Sequence, residues 1–434
     1  MLYRLKHQLH RLHHRERYRM LAELLQNQTL SKAQLLQKQQ QDLSSIVTHA
    51  YNNTAYYHEK YAKFIDNKAQ ELVTASLPVL HKDEVVQHRD EMLAKDIDRH
   101  SLRTGNTGGS TGKPLSFYYD QHKHELMRAG MIRSYMWSGW KPGQKILNFW
   151  GARQDLQHGN SFSKKYQDYL AAERTIPAFE YSKTQLHEWA NTIRSYRPVL
   201  LQGYASILAE LARYIIDNSM QMPQTILGVY STAEVLHDGQ RELMEQAFRC
   251  KVFNQYGSRE IPNIACECRH GNQHIFTDMV YLESQTLNDE ERLIVTSLSN
   301  RVMPFIRYEI GDSGKLKDGD CACGSPFPMM EMGLCRSNDL IKTRSGKSIH
   351  PSYFNGLLYG QTNIEQYQYI QYELDKITLN IVSPDKRIDS LNSLHEKIRS
   401  EVDENMMLEI NYVDEIKRSI SGKHRFVISM LPQA

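Results

Sequence analysis

A chain of 434 residues, 40% hydrophobic and 24% charged, can hold two or three domains around a substantial core and has the composition of an ordinary globular protein. A net charge of +3 and the lack of basic–aromatic modules exclude nucleic acid as an expected partner, and no apolar run is long enough to cross a bilayer. With no secretory signal, the six cysteines are expected to be reduced and the chain cytoplasmic.

Met1–Met20 carries Arg4, Lys6, Arg11, Arg15, Arg17 and Arg19, with Leu2, Leu5, Leu9 and Leu12 at helical spacing, which predicts a basic amphipathic helix. The preferred reading is a helix covering its own domain; membrane contact is at most peripheral, against an anionic surface. Helical spacing continues to Ala50, with the glutamine-rich run Gln37 to Gln41 expected on a solvated face, and helices are expected to about residue 65. A loop-rich segment containing Pro78 follows.

Ten residues from Thr104 to Lys113 then hold four glycines, three threonines, a serine and a lysine. Glycines let backbone approach a ligand, and the N–H groups and hydroxyls of Thr104, Thr107, Gly108, Gly109, Ser110, Thr111 and Gly112, with Lys113, can surround phosphate oxygens. The Walker pattern fails, because Thr107 stands where its first glycine belongs and Pro114 follows Lys113. The dinucleotide fingerprint fails as well, since the glycines at 105, 108, 109 and 112 do not give G-x-G-x-x-G. A flexible linker is the plain alternative; Leu115–Tyr119, which reads as a strand entered directly from the loop, argues against it.

Strand candidates Lys145–Trp150, Leu200–Gln202, Ile226–Tyr230 and Lys251–Phe253 alternate with helical stretches such as Gln185–Ser195 and Ile207–Asn218. This predicts an α/β fold of doubly wound, largely parallel sheets, with ligands at the C-terminal strand ends. Leu293–Ser299 and Phe305–Tyr308 read as further β elements. A small α+β unit closes the chain, with strands Lys376–Val382 and Leu408–Val413 around a helix near Leu391–Glu404. The expected division is an N-terminal helical segment to residue 65, an α/β core over 66–335 with a metal-binding insertion near 266–323, and a C-terminal lid over 336–434.

Thr107-Gly-Gly-Ser-Thr-Gly-Lys-Pro114 resembles the signature loop of the adenylate-forming enzymes, the superfamily of acyl-CoA synthetases, peptide-synthetase adenylation domains and luciferases. Further stretches follow in that family's order. Val229-Tyr-Ser-Thr-Ala-Glu-Val235 is similar to the segment beside the adenine and contributes Ala233 and Glu234. Asn254-Gln-Tyr-Gly-Ser-Arg-Glu260 is similar to Tyr-Gly-x-Thr-Glu, with Arg259 in place of threonine. The resemblance implies nucleotide contacts from Asn254, Tyr256, Gly257 and Ser258, with Tyr256 against adenine and Glu260 toward Mg²⁺.

Phe305-Ile-Arg-Tyr-Glu-Ile-Gly-Asp312 gives Asp312 the ribose hydroxyls by the same likeness. Gly333 to Lys342 looks like the hinge motif, with Arg336 as the ribose and phosphate arginine and Asn338 where the hinge aspartate usually stands. Ser421-Gly-Lys423 makes Lys423 the implied catalytic lysine, placed to favour charge building on the α-phosphate. Within the superfamily the chain is most similar to the phenylacetate–CoA ligase and CapK-like branch. The short chain, the early phosphate loop and the tyrosine-rich segment Ala50–Tyr61 all point there. Leu201–Leu208 resembles the turn lining the acyl pocket, so Trp150, Gly151 and Tyr204 are candidate walls; core packing is the equal alternative for Trp150 and Tyr204.

Four cysteines form two Cys-x-Cys pairs, Cys266/Cys268 and Cys321/Cys323, with His270 and His274 nearby, a composition that suits tetrahedral zinc. The branch's pattern maps onto Cys268, His274, Cys321 and Cys323, implying one structural Zn²⁺; Cys266 with His270 is the competing choice.

The resemblance implies ATP/AMP, Mg²⁺ and coenzyme A as cofactors, a small-molecule carboxylic acid and an acyl acceptor as partners, a homodimer as a further option, and a place in polysaccharide or secondary-metabolite synthesis. Two other classes stay open: a nucleotidyl transferase moving AMP to an acceptor, and a non-catalytic nucleotide-binding homologue.

Overall fold

The computed structural model describes residues 2–64, 77–107, 115–151, 162–287, 290–332, 340–349, 351–358, 363–364, 366–384, 388, 391, 393–416 and 426–431. The expected domain boundaries at 65 and 335, the loop 108–114, the hinge arginine Arg336 and Lys423 lie outside the described residues.

The centre of the molecule is one sheet, eleven-stranded among the described residues. From one edge its strands are Glu173–Pro177, Ile146–Trp150, Leu200–Tyr204, Gly228–Thr232, Lys251–Tyr256, Ala265–Glu267, Gln273–Ile275, Met329–Met332, Tyr308–Lys317, Glu290–Ser297 and Val280–Leu287. The first five run parallel and the rest antiparallel. The parallel half is doubly wound as expected. The expectation of largely parallel sheets is corrected: about half of a single continuous sheet is antiparallel.

Burial explains the parallel half. Its four inner strands are largely buried on both sides, since helices cover both faces. Leu147, Phe149, Leu201 and Val229 pack into one apolar cluster with Leu186, Trp189 and Ile193 of the helix Lys183–Tyr196 and Leu208 and Leu211 of Ala205–Asp217. Ile146, Leu200, Tyr230 and Phe253 belong to the other cluster, with Ala129 and Tyr135 of the helix Gln121–Met136 and the N-terminal helices.

The N-terminal helices are Leu2–His13, Arg15–Asn27, Lys32–Asn53 and Ala55–Tyr61. The basic stretch turns one cation inward: buried Arg17 pairs with buried Glu125 at 2.8 Å. Met20, Leu21 and Leu24 join the core, so this segment covers its own domain, while Leu5 and Leu12 stay exposed. Gln39 departs from the solvated face expected for its run; it is buried, and its amide donates to the Val280 carbonyl at 2.7 Å. Tyr56, Tyr57 and Tyr61 are buried, and the Tyr57 hydroxyl donates to the Pro304 carbonyl at 2.8 Å.

The C-terminal unit forms a four-stranded sheet in the order Met407–Tyr412, Lys376–Val382, Gln366–Glu373, Val427–Ser429, with helix Leu394–Glu401. Its strand Ser348–Ile349 pairs on one side with Ile341–Lys342 and on the other with Glu180–Tyr181 of the large unit. No described helix is long and apolar enough to cross a membrane.

Candidate active site

The phosphate-loop motif is carried by an antiparallel hairpin, Arg103–Thr107 with Leu115–Tyr119. Thr104 is exposed on its outer strand, and the Thr107 hydroxyl is buried without a hydrogen-bond partner. Gly108, Gly109, Ser110, Thr111, Gly112 and Lys113 lie outside the described residues. Arg259, standing where the family has threonine, donates to the Asn106 carbonyl at 3.2 Å, so it ties this hairpin to the Tyr256–Glu260 segment.

That segment leaves the parallel strand Lys251–Tyr256 in a tight turn. The Ser258 amide donates to the Ile261 carbonyl at 2.9 Å, and the Ile261 amide donates back to the Ser258 hydroxyl at 3.0 Å. A Cβ on Gly257 would come within 2.9 Å of the Asn263 amide nitrogen, so only glycine fits. The Tyr256 hydroxyl donates to Asp312 at 3.1 Å, joining the two motif residues expected at adenine and ribose. Asp312 lies within an irregularity in its strand, where Glu309 to Ser313 opposes only Arg292 to Ile294. Buried Glu260 accepts from the Tyr308 hydroxyl at 3.3 Å. Tyr256, Asp312, Glu260 and the base of the phosphate hairpin therefore converge at the C-terminal end of the parallel strands, where such sheets collect ligands.

Ala233 takes a left-handed conformation, φ +66°, directly after the strand Gly228–Thr232. Glu234 beside it accepts from the Ser206 amide at 2.8 Å, placing a carboxylate at the start of the helix Ala205–Asp217, which has no side-chain cap of its own. Trp150 and buried Tyr204 pack with ring centroids 5.3 Å apart, and Gly151 is buried next to them. The Asn254 amide donates to Glu267 at 2.9 Å.

Lys123 was not singled out from sequence. It is 3% exposed, its ammonium donates to the Glu260 carbonyl at 2.6 Å, and it lies 5.2 and 5.7 Å from the Phe117 and Tyr119 ring centres. Burial lowers its pKa from the usual 10.5 to about 7, against the opposing pull of Glu260 and Asp120. Between those values the unfolded chain binds the extra proton, so this lysine makes stability rise with pH from about 7 to about 10.5. Lys123→Met is expected to flatten that rise, seen as a smaller gain in denaturation midpoint between pH 7 and pH 9.5; parallel pH curves for the two proteins would refute the assignment.

Among the described residues, the structure brings together the four side chains that the resemblance implies. Cys268, His274, Cys321 and Cys323 bring their ligand atoms within 4.8 Å of one another. Cys268 and His274 come from the hairpin of Ala265–Glu267 and Gln273–Ile275; Cys321 and Cys323 come from the turn before Met329–Met332. The two turns match: the Gly271 amide donates to Cys268 O and the Gly324 amide to Cys321 O, with both glycines at positive φ (+75° and +74°). Two sulfurs on a tetrahedral zinc stand about 3.8 Å apart; Cys268 and Cys321 are 3.7 Å apart. The His274 Nδ1–H donates to the Phe327 carbonyl at 2.8 Å, which fixes the tautomer and leaves Nε2, 3.3 Å from Cys323 Sγ, as a lone-pair donor. Cys266 is sealed in the apolar core and His270 is exposed, so the competing pair is not assembled.

Residues 341–430 match the family model described as CapK C-terminal domain. Over 413 residues the chain is 24% identical to protein CapK of Staphylococcus aureus, covering 91% of this chain and 89% of that one. It is 23% identical to a phenylacetate-coenzyme A ligase of Thermus thermophilus over 76% of each chain. A solved 2-hydroxyisobutyryl-CoA ligase, in complex with 2-HIB-AMP and CoA, superposes with a TM-score of 0.60 at 16% identity, covering 93% of this chain and 91% of that one. At that identity the likeness is one of fold. The motif order, the fold and these relatives agree: residues 341–430 carry the CapK C-terminal domain, and the chain as a whole is similar to CapK and the phenylacetate-coenzyme A ligases.

Proposed function

We propose that this chain activates a carboxylic acid with magnesium-ATP and hands the acyl group to coenzyme A or another nucleophile. In the first step a carboxylate oxygen attacks the α-phosphorus, the bond to the bridging oxygen breaks, and pyrophosphate leaves with acyl-AMP remaining. In the second, a thiol or other nucleophile attacks the acyl carbonyl, loses its proton to solvent and releases AMP. The observation that supports this best is the meeting of Tyr256, Asp312 and Glu260 beside the phosphate hairpin. The Asp312 carboxylate suits two ribose hydroxyls, and the Glu260 carboxylate suits a magnesium ion on the phosphates.

The name of one relative, phenylacetate-coenzyme A ligase, supports the reaction class. Lys423 is the proposed cation at the α-phosphate. The division into helical segment, adenylation core and lid at 65 and 335 belongs to the same reading. So does one structural zinc held by Cys268, His274, Cys321 and Cys323, which would brace the hairpin and leave no open coordination position.

Pyrophosphate release from magnesium-ATP, measured over aryl, short-chain, hydroxy and amino acids with and without coenzyme A, tests the reading. Release that depends on one acid and rises with coenzyme A is expected. Lys423→Ala should lower adenylate formation by at least about a hundredfold; unchanged formation would remove the lysine's role. AMP transfer without any acid requirement would favour a nucleotidyl transferase. Elemental analysis should find one zinc per chain after dialysis, and Cys321→Ser should lose it with a fall in melting temperature, because binding and folding are coupled. A native chain with well under one equivalent would remove the zinc assignment.

A further inference from the structure

Beneath the Trp150–Tyr204 pair, the parallel sheet carries a polar layer in place of an apolar one. Asn148 is the single polar residue of the strand Ile146–Trp150, two residues before Trp150 and therefore on the same face. In register beside it are Gln202 on one side and Thr175 on the other, and Gln202 in turn neighbours Tyr230. Asn148 and Gln202 are 5% and 3% exposed. The amide of Asn148 donates to Glu173 at 2.6 Å, Arg128 pairs with the same carboxylate at 3.0 Å, and the Tyr135 hydroxyl donates to Gln202 at 2.5 Å. Burial alone would raise the Glu173 carboxyl, but Arg128 and the Asn148 amide hold it below its usual range, so the pair stays ionised.

Two facts distinguish this layer from a sealed polar core. Thr175 is exposed and Arg128 keeps 31% of its side chain accessible, so the layer is not fully covered at the sheet edge. The Asn148 Oδ1 atom is buried with no hydrogen-bond partner. Turning the amide over would only exchange which of its polar atoms is left without a protein partner. A ligand can supply the missing bond.

Resting on the adenylation reading above, we propose that the activated acid carries a hydroxyl on the end remote from its carboxylate, and that Asn148, backed by Glu173 and Arg128, receives it. A hydroxyl can donate to Oδ1 or, with the amide turned, accept from Nδ2. The layer lies about 7 Å along the strands from the Trp150 row, two residues at roughly 3.3 Å each. That depth suits a short chain or one aromatic ring between the carboxylate and the hydroxyl.

Matched substrate pairs test this: 4-hydroxyphenylacetate against phenylacetate, and 4-hydroxybutyrate against butyrate, in the pyrophosphate assay. The hydroxylated member is expected to have a kcat/KM at least about tenfold above its partner, because a site built to bond a hydroxyl discriminates strongly against its loss. In Asn148→Leu the ratio should fall toward one. A wild-type preference for the unsubstituted acids, or the same ratio in both proteins, would overturn the proposal and leave the adenylation reading standing. No acid-dependent pyrophosphate release with any acid would overturn that reading and this proposal together. The wild-type ratio is independent of whether the variant folds.

Discussion

Glu260→Gln is expected to lower acid-dependent pyrophosphate release by about 10²–10³ and to move the magnesium requirement to higher concentration. The two side chains have the same shape, and glutamine can still accept the Tyr308 hydroxyl that bonds Glu260 at 3.3 Å. The main-chain carbonyl bonded by Lys123 is unchanged, so the turn from Tyr256 keeps its form. What disappears is one negative charge on a buried side chain, where charge acts at close range and is poorly screened. The loss should therefore fall on turnover with magnesium-ATP and leave the melting temperature nearly in place. Titrating magnesium at fixed ATP reads both parts; a variant with wild-type rate and wild-type metal dependence would remove Glu260 from the machinery.

Asp278→Ala is expected to destabilise the fold by about 3–5 kcal/mol. Asp278 and Arg133 both have fully buried side chains and form a two-pronged pair at 2.6 and 3.0 Å. The guanidinium carbon lies 4.1 Å from the Phe276 ring centre and 5.2 Å from that of Phe327, an environment that cannot hydrate a cation left alone. Asn27 also donates to Asp278 at 2.8 Å, so the variant loses the bond holding the end of the helix Arg15–Asn27. Denaturant titration measures the loss. The double variant Asp278→Leu with Arg133→Met should recover a large part of it, because removing both charges removes the stranded one. A single-variant cost below about 1 kcal/mol would contradict this account.

Four of the five parallel strands were legible to within a few residues because each holds a short apolar run between helical stretches, and Lys376–Val382 was read at its full extent; the edge strand Glu173–Pro177, largely polar and exposed, was not. Tyr256, Glu260, Asp312 and the four zinc candidates were singled out by their likeness to family motifs, and the structure joins Tyr256 to Asp312 and gathers the four cysteine and histidine side chains. The antiparallel continuation of the sheet was not legible. Its register is set by contacts such as His274 with both Cys266 and Met329, which no local pattern encodes. Phe305–Tyr308 read as a strand, but the strand begins only at Tyr308, after buried Phe305 and Ile306 and a left-handed Arg307. Lys123, Arg17 and Gln39 look like surface residues in sequence, and only the partners brought to them, the Glu260 carbonyl, Glu125 and the Val280 carbonyl, make their burial tolerable. Asn148 left a trace, one polar residue inside Ile-Leu-Asn-Phe-Trp, whose meaning depends on Glu173 and Arg128 arriving from elsewhere.

The join between the C-terminal unit and the large one is slight among the described residues. Ser348 and Ile349 pair with Tyr181 and Glu180, and surface ion pairs link Lys342 to Glu210 and Lys347 to Glu180. The apolar cluster of the small unit is separate from both clusters of the large one. Two ladder pairs and two exposed ion pairs amount to a few kcal/mol at most. A ligand that touches both units would therefore need only modest differential affinity to shift how they sit together, without any part of either fold being undone.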